Sequence, residues 1–146
     1  MSFVKIWVHL VFATKNRQPL LTTNIRSILF KHIIQNCADK GIFLQTINGY
    51  TDHMHCLISL GKDQSIAKVS QLIKGESSFW INQNHIITEH FSWQDDSFAV
   101  SVSESQLQAV INYIKNQETH HAKKSFDDEA RSLAEKYGWQ KFSSDG

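Results

Sequence analysis

Two histidines separated by one residue are the first feature of this sequence that could do chemistry. His53 and His55 alternate with apolar residues, so on a β-strand both imidazoles lie on one face. Their Cα atoms would then be about 6–7 Å apart, and two neutral imidazoles at that spacing can converge on one divalent ion. Asp52 could orient one of the rings through a hydrogen bond. A polar strand face wetted by solvent would have the same spacing, so the pattern alone is a weak indication.

A tyrosine and a glutamine one helical turn apart are the second such feature. A helix is predicted over residues 104–121, opening at a capping box over residues 103–106. Its apolar stripe consists of Leu107, Val110, Ile111 and Ile114. At about 100° per residue, Tyr113, Gln117 and His120 fall together on one border of this stripe. A tyrosine at the edge of a core with its hydroxyl in water is also ordinary, so this border position decides nothing by itself.

Taken together, the two features favour phosphoryl transfer. Two histidines leave a bound cation short of ligands, and Gln117 offers a neutral oxygen one turn away from a phenol. A free phenol ionises with a pKa of about 10, but a nearby divalent cation favours the phenolate and polarises a phosphodiester. Attack by Tyr113 on phosphorus would keep the bond energy in a covalent link that can be rejoined later. Such chemistry is typical of strand transfer rather than hydrolysis.

The hydrophobic pattern predicts the elements that must position these residues. Alternation predicts strands over residues 3–13, 42–50, 53–60 and 98–102, with a loop over residues 84–96. Helical periodicity predicts helices over about 24–40, 65–83, 104–121 and 125–137. The first helix has Thr22 and Thr23 as candidate caps and an apolar stripe of Ile25, Ile28, Leu29, Ile33 and Cys37. The βαββαβα order predicts one α+β domain over residues 1–146, a ferredoxin-like or RNA-recognition-motif-like antiparallel sheet with helices packed on one face.

Composition bounds the environment and the partners of the protein. The 146 residues carry a formal net charge of +1, so strong non-specific electrostatic binding to long duplex DNA is not expected. No apolar run approaches the roughly 18 residues that span a bilayer, and the first residues lack the pattern of a signal peptide. Cys37 and Cys56 both lie among apolar residues. The sequence therefore predicts a cytoplasmic protein with reduced, buried thiols and no membrane contact.

Any contact with nucleic acid must come from local groups. Two stretches carry an excess of basic residues, and their members are Lys5, Lys15, Arg17, Lys62, Lys68 and Lys74. These are the candidates for contacts with DNA phosphates, although a solvated face is the simpler explanation for any single lysine. Trp7, Phe79 and Trp80 could stack on unpaired bases, but core packing is the preferred interpretation for each of them.

At this point the sequence resembles a known family, the HUH-type single-tyrosine transposases of the smallest prokaryotic insertion sequences, of the IS200-like kind. The REP-associated tyrosine transposases are close relatives of that family. The resemblance rests on His53-Met54-His55 and on Tyr113-x-x-x-Gln117 followed by His120-His121. It is extended by Trp7-Val8-His9-Leu10-Val11-Phe12-Ala13-Thr14-Lys15, by Leu72-Ile73-Lys74-Gly75-Glu76-Ser77-Ser78 and by Phe98-Ala99-Val100-Ser101-Val102-Ser103. It covers residues 3 to about 125 in the order that the family has.

The resemblance implies a role for most of the matching residues, but it assigns none to His120 and His121. His53, His55 and Gln117 would bind Mg²⁺ or Mn²⁺. Asp52, next to His53, and His120, on the same helix border as Tyr113, are candidates from their positions to surround these ligands. Tyr113 would attack a phosphodiester of single-stranded DNA beside a hairpin end, forming a 5′-phosphotyrosine and a free 3′-OH. Rejoining would need neither a nucleotide cofactor nor DNA synthesis. The protein would be a homodimer, in which the tyrosine helix can complete the partner's site.

Three alternatives stay open from the sequence. A domesticated REP-type relative would process genomic hairpins with the same chemistry without mobilising itself. A non-catalytic RNA-recognition-motif-like module would bind nucleic acid through aromatic residues on exposed strands, but the strand face in question carries His53, His55 and Ser59 instead. A metal-dependent phosphodiesterase would use water as its nucleophile and would form no protein–DNA adduct.

Overall fold

The strands and helices follow one another in the predicted order. The computed structural model describes residues 3–121 and 125–137. The elements are β1 (Ile6–Thr14), α1 (Thr23–Asp39), β2 (Phe43–Gly49), β3 (His53–Leu60), α2 (Ile66–Gln83), β4 (Trp93–Val102), α3 (Leu107–Lys115), α4 (Gln117–His121) and α5 (Phe126–Tyr137). Short 3-10 turns at Lys15–Arg17 and Glu104–Gln106 follow β1 and precede α3. Within the described ranges, no helix is long and apolar enough to cross a membrane.

The four strands form one antiparallel sheet in the order β2-β3-β1-β4. The central pair is β1 and β3, with Leu10 opposite Cys56 and Val11 opposite His55. This order is that of a split βαβ arrangement, in which β3 lies between the two parallel strands β1 and β2. The predicted α+β class with an antiparallel sheet is therefore confirmed.

The main core lies between one face of the sheet and the helices α1 and α2. Leu10, Phe12, Met54, Cys56 and Ile58 supply the sheet side, and Leu29, Ile33, Cys37, Val69 and Ile73 supply the helix side. The oxygen of Thr22 accepts a hydrogen bond from the backbone N–H of Ile25 at 3.4 Å, so Thr22 is the cap of α1. Ile28 is 46% exposed, which contradicts its predicted place in the stripe. Arg26 is buried there instead, because its guanidinium donates to the carbonyl of Leu21 at 2.7 Å.

A second apolar cluster lies on the opposite face of the sheet. Trp7 of β1 and Leu57 of β3 pack there against Val110, Ile111 and Ile114 of α3. The expectation that helices pack on one face therefore holds for α1 and α2, whereas α3 covers part of the other face. The reason is that β1 and β3 carry apolar side chains on both faces, and each face needs a cover. The face that bears His53 and His55 is thus a second interior.

The helix predicted over residues 104–121 begins as a 3-10 turn at Glu104–Gln106, becomes α-helical only at Leu107, and breaks again after Lys115. Ser103 makes no capping bond to the helix and contacts the hydroxyl of Ser105 at 3.2 Å, so the predicted capping box is wrong. The other break is at Asn116, whose φ of −98° and ψ of 21° end α3. The side-chain amide of Asn48 donates to the carbonyls of Ile114 and Lys115, at 3.0 Å each, and thereby satisfies the end of α3. The chain then turns into α4.

The start of β4 also differs from the prediction. The strand begins at Trp93, within the stretch expected to be a loop. The indole of Trp93 packs edge-on against Phe12, with ring centroids 4.7 Å apart, and donates to the hydroxyl of Ser77 at 2.9 Å. These tertiary contacts stabilise a strand whose following residues, Gln94 to Asp96, are polar.

Candidate metal and tyrosine site

Both predicted histidine ligands lie on β3 and are fully buried. His53 and His55 point to the face of the sheet away from α1 and α2, as the alternation predicted, and each has 0% exposure. Their rings are 5.2 Å apart between centroids. Helices α3, α4 and α5 bring further polar side chains to the same point. A buried histidine pair of this kind is unlike a solvated strand face.

His53 is fixed from two sides by residues that the sequence singled out. Its Nδ1 donates to Oδ1 of Asp52 at 2.8 Å, and its Nε2 lies 3.2 Å from Oε1 of Gln117. The amide nitrogen of Gln117 donates to the backbone carbonyl of Tyr113 at 3.3 Å, so its oxygen is the atom that faces His53. In a neutral ring whose Nδ1 donates, Nε2 has a lone pair, which then faces the Gln117 oxygen at 3.2 Å. A cation or a proton must lie between such atoms, because two acceptors repel.

Two more potential ligands are residues to which the sequence assigned no role. Glu129 of α5 places Oε1 2.6 Å from Nε2 of His55 and 3.9 Å from Nε2 of His53. Nε2 of His121, in α4, contacts the other oxygen of the same carboxylate. One ligand atom from each of these four buried residues lies within 4.8 Å of the others. Three imidazoles and a carboxylate at this spacing are a set of donors that could hold one divalent metal ion.

The protonation states of these groups suit a cation. Burial lowers the pKa of His55 to about 4, against the opposing effect of Glu129, so the imidazole is neutral at pH 7. Burial by itself would raise the pKa of Glu129, but the contacts with His121 and His55 outweigh it and hold this pKa well below its usual range. In the described part of the chain, neither oxygen of Glu129 nor Nε2 of His55 has a hydrogen bond of acceptable geometry. Buried ligand atoms that converge without bonding to one another fit a metal ion.

Glu129 could have been found from the sequence. Phe126, Glu129, Ala130 and Leu133 follow the i, i+3, i+4, i+7 spacing of an apolar stripe, and Glu129 is the charged member. A carboxylate on the buried side of an amphipathic helix needs a partner. His121 had a weaker signal, since its role in the motif was left unassigned. Neither residue type nor spacing indicated that α5 would dock on β3.

Tyr113 lies beside the buried residues of its own chain that could bind a metal ion. Its ring centroid is 5.7 Å from that of His55 and 5.4 Å from that of His120. His120 in turn has its Nε2 3.2 Å from Oε2 of Glu129. The structure thus brings Tyr113, Gln117 and His120 together on one side, as the helical spacing predicted, even though the helix breaks between Tyr113 and Gln117.

A cavity of about 290 Å³ opens next to the tyrosine. It lies between α3 and α5, and its wall includes Tyr113, His9, His120, Glu129, Ser132 and Lys136. The apolar part of the wall comes from Ala109, Val110 and Leu133. The cavity therefore combines the phenol, the donor cluster and a cationic side chain, a composition that suits a ligand with both a phosphate and an apolar ring.

His9 is a buried histidine that the sequence analysis did not select. It lies on β1 with 1% exposure, and its Nε2 is 2.8 Å from Nδ1 of His55. Burial, reinforced by His55, lowers the pKa of His9 to about 3, so it is neutral. The sequence pattern that could have indicated its burial is that the residues around His9 on β1 are apolar on both faces of the strand.

The predicted basic residues do not form one patch. The nine residues of β1 separate Lys5 from Lys15 and Arg17, and a strand of that length spans about 30 Å. Arg17 is paired with Asp127 of α5. Lys74 donates to the carbonyl of Asp95 at 2.9 Å and to the hydroxyl of Ser97 at 3.0 Å, and burial lowers its pKa. Lys5, Lys15, Lys62 and Lys68 are exposed, and their contact with DNA stays a prediction.

The three aromatic residues considered for base stacking differ in environment. Trp7 is buried and donates through its indole N–H to Glu104 at 2.9 Å. Trp80 is partly buried and stacks on His32, with ring centroids 4.0 Å apart. Phe79 is 66% exposed, so the preferred core interpretation is wrong for this residue.

Cys37 and Cys56 are buried and free, and burial raises the pKa of both thiols.

Comparisons with known proteins agree with this architecture. The structure is similar to the 1.90 Å crystal structure of a candidate transposase from Deinococcus radiodurans R1, with a TM-score of 0.65, 21% sequence identity, and coverage of 80% of this chain and 93% of that chain. It is also similar to a REP-associated tyrosine transposase bound to a REP hairpin, with a TM-score of 0.63, 17% identity, and coverage of 100% and 92% respectively. No curated protein matches the chain.

The sequence itself matches a family model. The model is described as "Transposase IS200 like", and the match covers residues 2–117, which include β1 to α3, the two histidines of β3, Tyr113 and Gln117. The resemblance drawn from the motifs is confirmed by this match. The chain therefore belongs to the IS200-like transposase family.

Proposed function

We propose that this transposase cleaves and rejoins single-stranded DNA next to hairpin ends, with Tyr113 as its nucleophile. The observation that carries the proposal is the position of Tyr113, which lines a cavity and whose ring centroid is 5.7 Å from that of the buried His55. A tyrosine at the edge of the core without such neighbours would be an ordinary packing residue. Here it lies beside groups that can activate a phosphodiester.

His53, His55 and Gln117 would hold a divalent ion, Mg²⁺ or Mn²⁺, with Glu129 and His121 available as further ligands. The fit rests on the facing lone pairs of His53 and Gln117 and on the converging oxygens of Glu129. When bound, such an ion supplies Lewis-acid polarisation of the phosphate and favours the phenolate. Asp52 holds the ring of His53 so that Nε2 faces the ion, and burial keeps His55 neutral and able to donate its lone pair.

The chemical step balances without a nucleotide. The Tyr113 oxygen forms a bond to phosphorus and the bond from phosphorus to the 3′ oxygen breaks, which leaves a 5′-phosphotyrosine and a 3′-OH. The proton lost by the phenol is matched by the one that the 3′ oxygen takes up. Rejoining reverses this exchange when a 3′-OH attacks the phosphotyrosine and the phenol regains its proton. The number of phosphodiester bonds is conserved.

Hairpin DNA is the substrate that the comparison favours. A structural relative is a REP-associated tyrosine transposase bound to a REP hairpin. We extend that substrate class to this chain, whether it mobilises an insertion sequence or is a domesticated REP-type relative. We also propose a homodimer, although Tyr113 lies beside the histidines of its own chain and that pairing needs no tyrosine from a partner.

The binding-module alternative is disfavoured by the position of the histidines. A module of that type exposes aromatic side chains on its central strands. The corresponding face here is covered by α3 to α5 and holds His53 and His55 at 0% exposure. The phosphodiesterase alternative would leave Tyr113 without a covalent role.

The products of cleavage test the proposal. The protein would be incubated with Mg²⁺ or Mn²⁺ and a pooled library of single-stranded DNA hairpins labelled at either end. We expect the strand released from the 5′ side to end in a 3′-OH that a polymerase extends, while the 3′-side strand stays with the protein after denaturation. Two free product strands would indicate water as the nucleophile and would contradict the proposal.

A further inference from the structure

We propose that His9 is a positioning residue that fixes the tautomer of the ligand His55, an inference that rests on the metal site of the proposed function. In this arrangement Nδ1–H of His55 donates to Nε2 of His9. Nε2 of His55 is then left with its lone pair toward the ion. His9 would not itself be a ligand of the metal.

The sheet register builds the contact between the two rings. Val11 of β1 is directly opposite His55 of β3, so His9, two residues earlier on β1, is the diagonal neighbour on the same face. The two nitrogens are 2.8 Å apart, and the rings stack with centroids 5.1 Å apart and planes 29° apart. Both side chains are buried, at 1% and 0% exposure. Water cannot easily replace this hydrogen bond.

The number of hydrogens between the rings leaves two arrangements. Two neutral rings can share a hydrogen bond at 2.8 Å only if one nitrogen donates and the other accepts, so exactly one hydrogen then lies between Nε2 of His9 and Nδ1 of His55. If His9 donates, His55 must carry its own hydrogen on Nε2, pointing at Oε1 of Glu129 2.6 Å away, and cannot bind a metal there. If His55 donates, Nε2 is a ligand. Metal binding by His55 therefore needs His9 to accept.

Substitutions that keep or remove the acceptor separate this role from simple packing. In His9→Gln the amide oxygen can take the place of Nε2, whereas His9→Phe fills the space without an acceptor. We expect His9→Phe to weaken Mn²⁺ binding about 10–100-fold, and His9→Gln to restore most of the affinity. The readout is Mn²⁺ binding to the full chain in the absence of DNA, by calorimetry. Visible absorption of bound Co²⁺ would report a changed ligand arrangement independently.

The controls keep the inference falsifiable. Thermal unfolding of each variant without metal shows whether it is folded. If His9→Phe does not fold, His9→Asn replaces it. The asparagine side chain is shorter than that of glutamine, so its oxygen reaches less far toward His55. The Asn variant should therefore bind Mn²⁺ about 10-fold more weakly than the Gln variant. A folded His9→Phe with unchanged Mn²⁺ affinity, or equal losses in the Gln and Phe variants, would overturn the role of His9 alone. Absence of Mn²⁺ binding in the wild type would instead overturn the metal site and the inference with it.

Discussion

His53 of β3 and Gln117 of α4 face each other through Nε2 and Oε1 at 3.2 Å, although 64 residues separate them in the chain. The contact joins the start of β3 to the start of α4, the short helix that follows the tyrosine helix. Asn48, directly opposite His55 on β2, bonds the last carbonyls of α3 from the other side. Both contacts place Tyr113 relative to the histidines, because α3 is held at its end rather than only along its apolar stripe.

Removing either histidine should separate DNA cleavage from DNA binding. In His53→Ala or His55→Ala a buried imidazole of the proposed metal site is lost, so we expect cleavage to fall by at least about 100-fold while affinity for the hairpin changes little. Gel shift and cleavage assays on the same DNA measure the two effects. His90→Ala, which removes an exposed histidine, is the matched control. A cleavage-competent double variant of His53 and His55 would contradict the metal site.

Gln117→Ala should raise the metal concentration that cleavage requires while leaving the proposed nucleophile, Tyr113, in place. The variant loses one neutral oxygen opposite His53, and we expect the half-maximal concentration of Mn²⁺ to rise about 10-fold. Full activity should return at high Mn²⁺, because Tyr113 is intact. A titration of cleavage rate against Mn²⁺ measures this. Unchanged metal demand at full activity would count against Gln117 as a ligand.

Glu129→Gln tests whether α5 contributes to the metal site. The substitution keeps the size of the side chain and removes its charge, so we expect Mn²⁺ affinity to fall by about 10-fold or more. Calorimetry on the full chain is the measurement. Glu135→Gln changes an exposed carboxylate of the same helix and should bind Mn²⁺ like the wild type. Equal affinities for the wild type and Glu129→Gln would show that α5 only covers the site.

Asn48→Ala should weaken both stability and cleavage, since the end of α3 loses two hydrogen bonds. We expect a loss of about 1–2 kcal/mol in the free energy of unfolding, and slower cleavage with unchanged Mn²⁺ affinity. Denaturant unfolding and cleavage rates check the two effects. Asn84→Ala removes a similar bond, 3.0 Å to the carbonyl of Trp80 at the end of α2, and should cost stability without slowing cleavage. If Asn84→Ala slows cleavage equally, Asn48 has no specific part in positioning Tyr113.

The sequence predicts the positions of the histidines, the tyrosine and the glutamine of the site better than the contribution of α5 and the break in the tyrosine helix. Alternation around His53 and His55 places both rings on one face, and helical spacing places Tyr113 near Gln117, because these patterns depend on local geometry alone. Helical spacing places Glu129 on the buried side of α5, but its contact with His55 depends on where α5 docks, which is fixed by tertiary packing. The break at Asn116 was missed for a related reason, since it is fixed by the side chain of Asn48 from a distant strand.

Identifying the residue to which the DNA becomes covalently linked tests the central claim most directly. Wild type and Tyr113→Phe would be incubated with hairpin-bearing single-stranded DNA and Mn²⁺, denatured, trimmed with nuclease and digested for tandem mass spectrometry. We expect a nucleotide-modified peptide with the modification on Tyr113 in the wild type, none when the metal is chelated, and none in Tyr113→Phe. A modified peptide at another residue, or an adduct that persists in Tyr113→Phe, would contradict Tyr113 as the nucleophile.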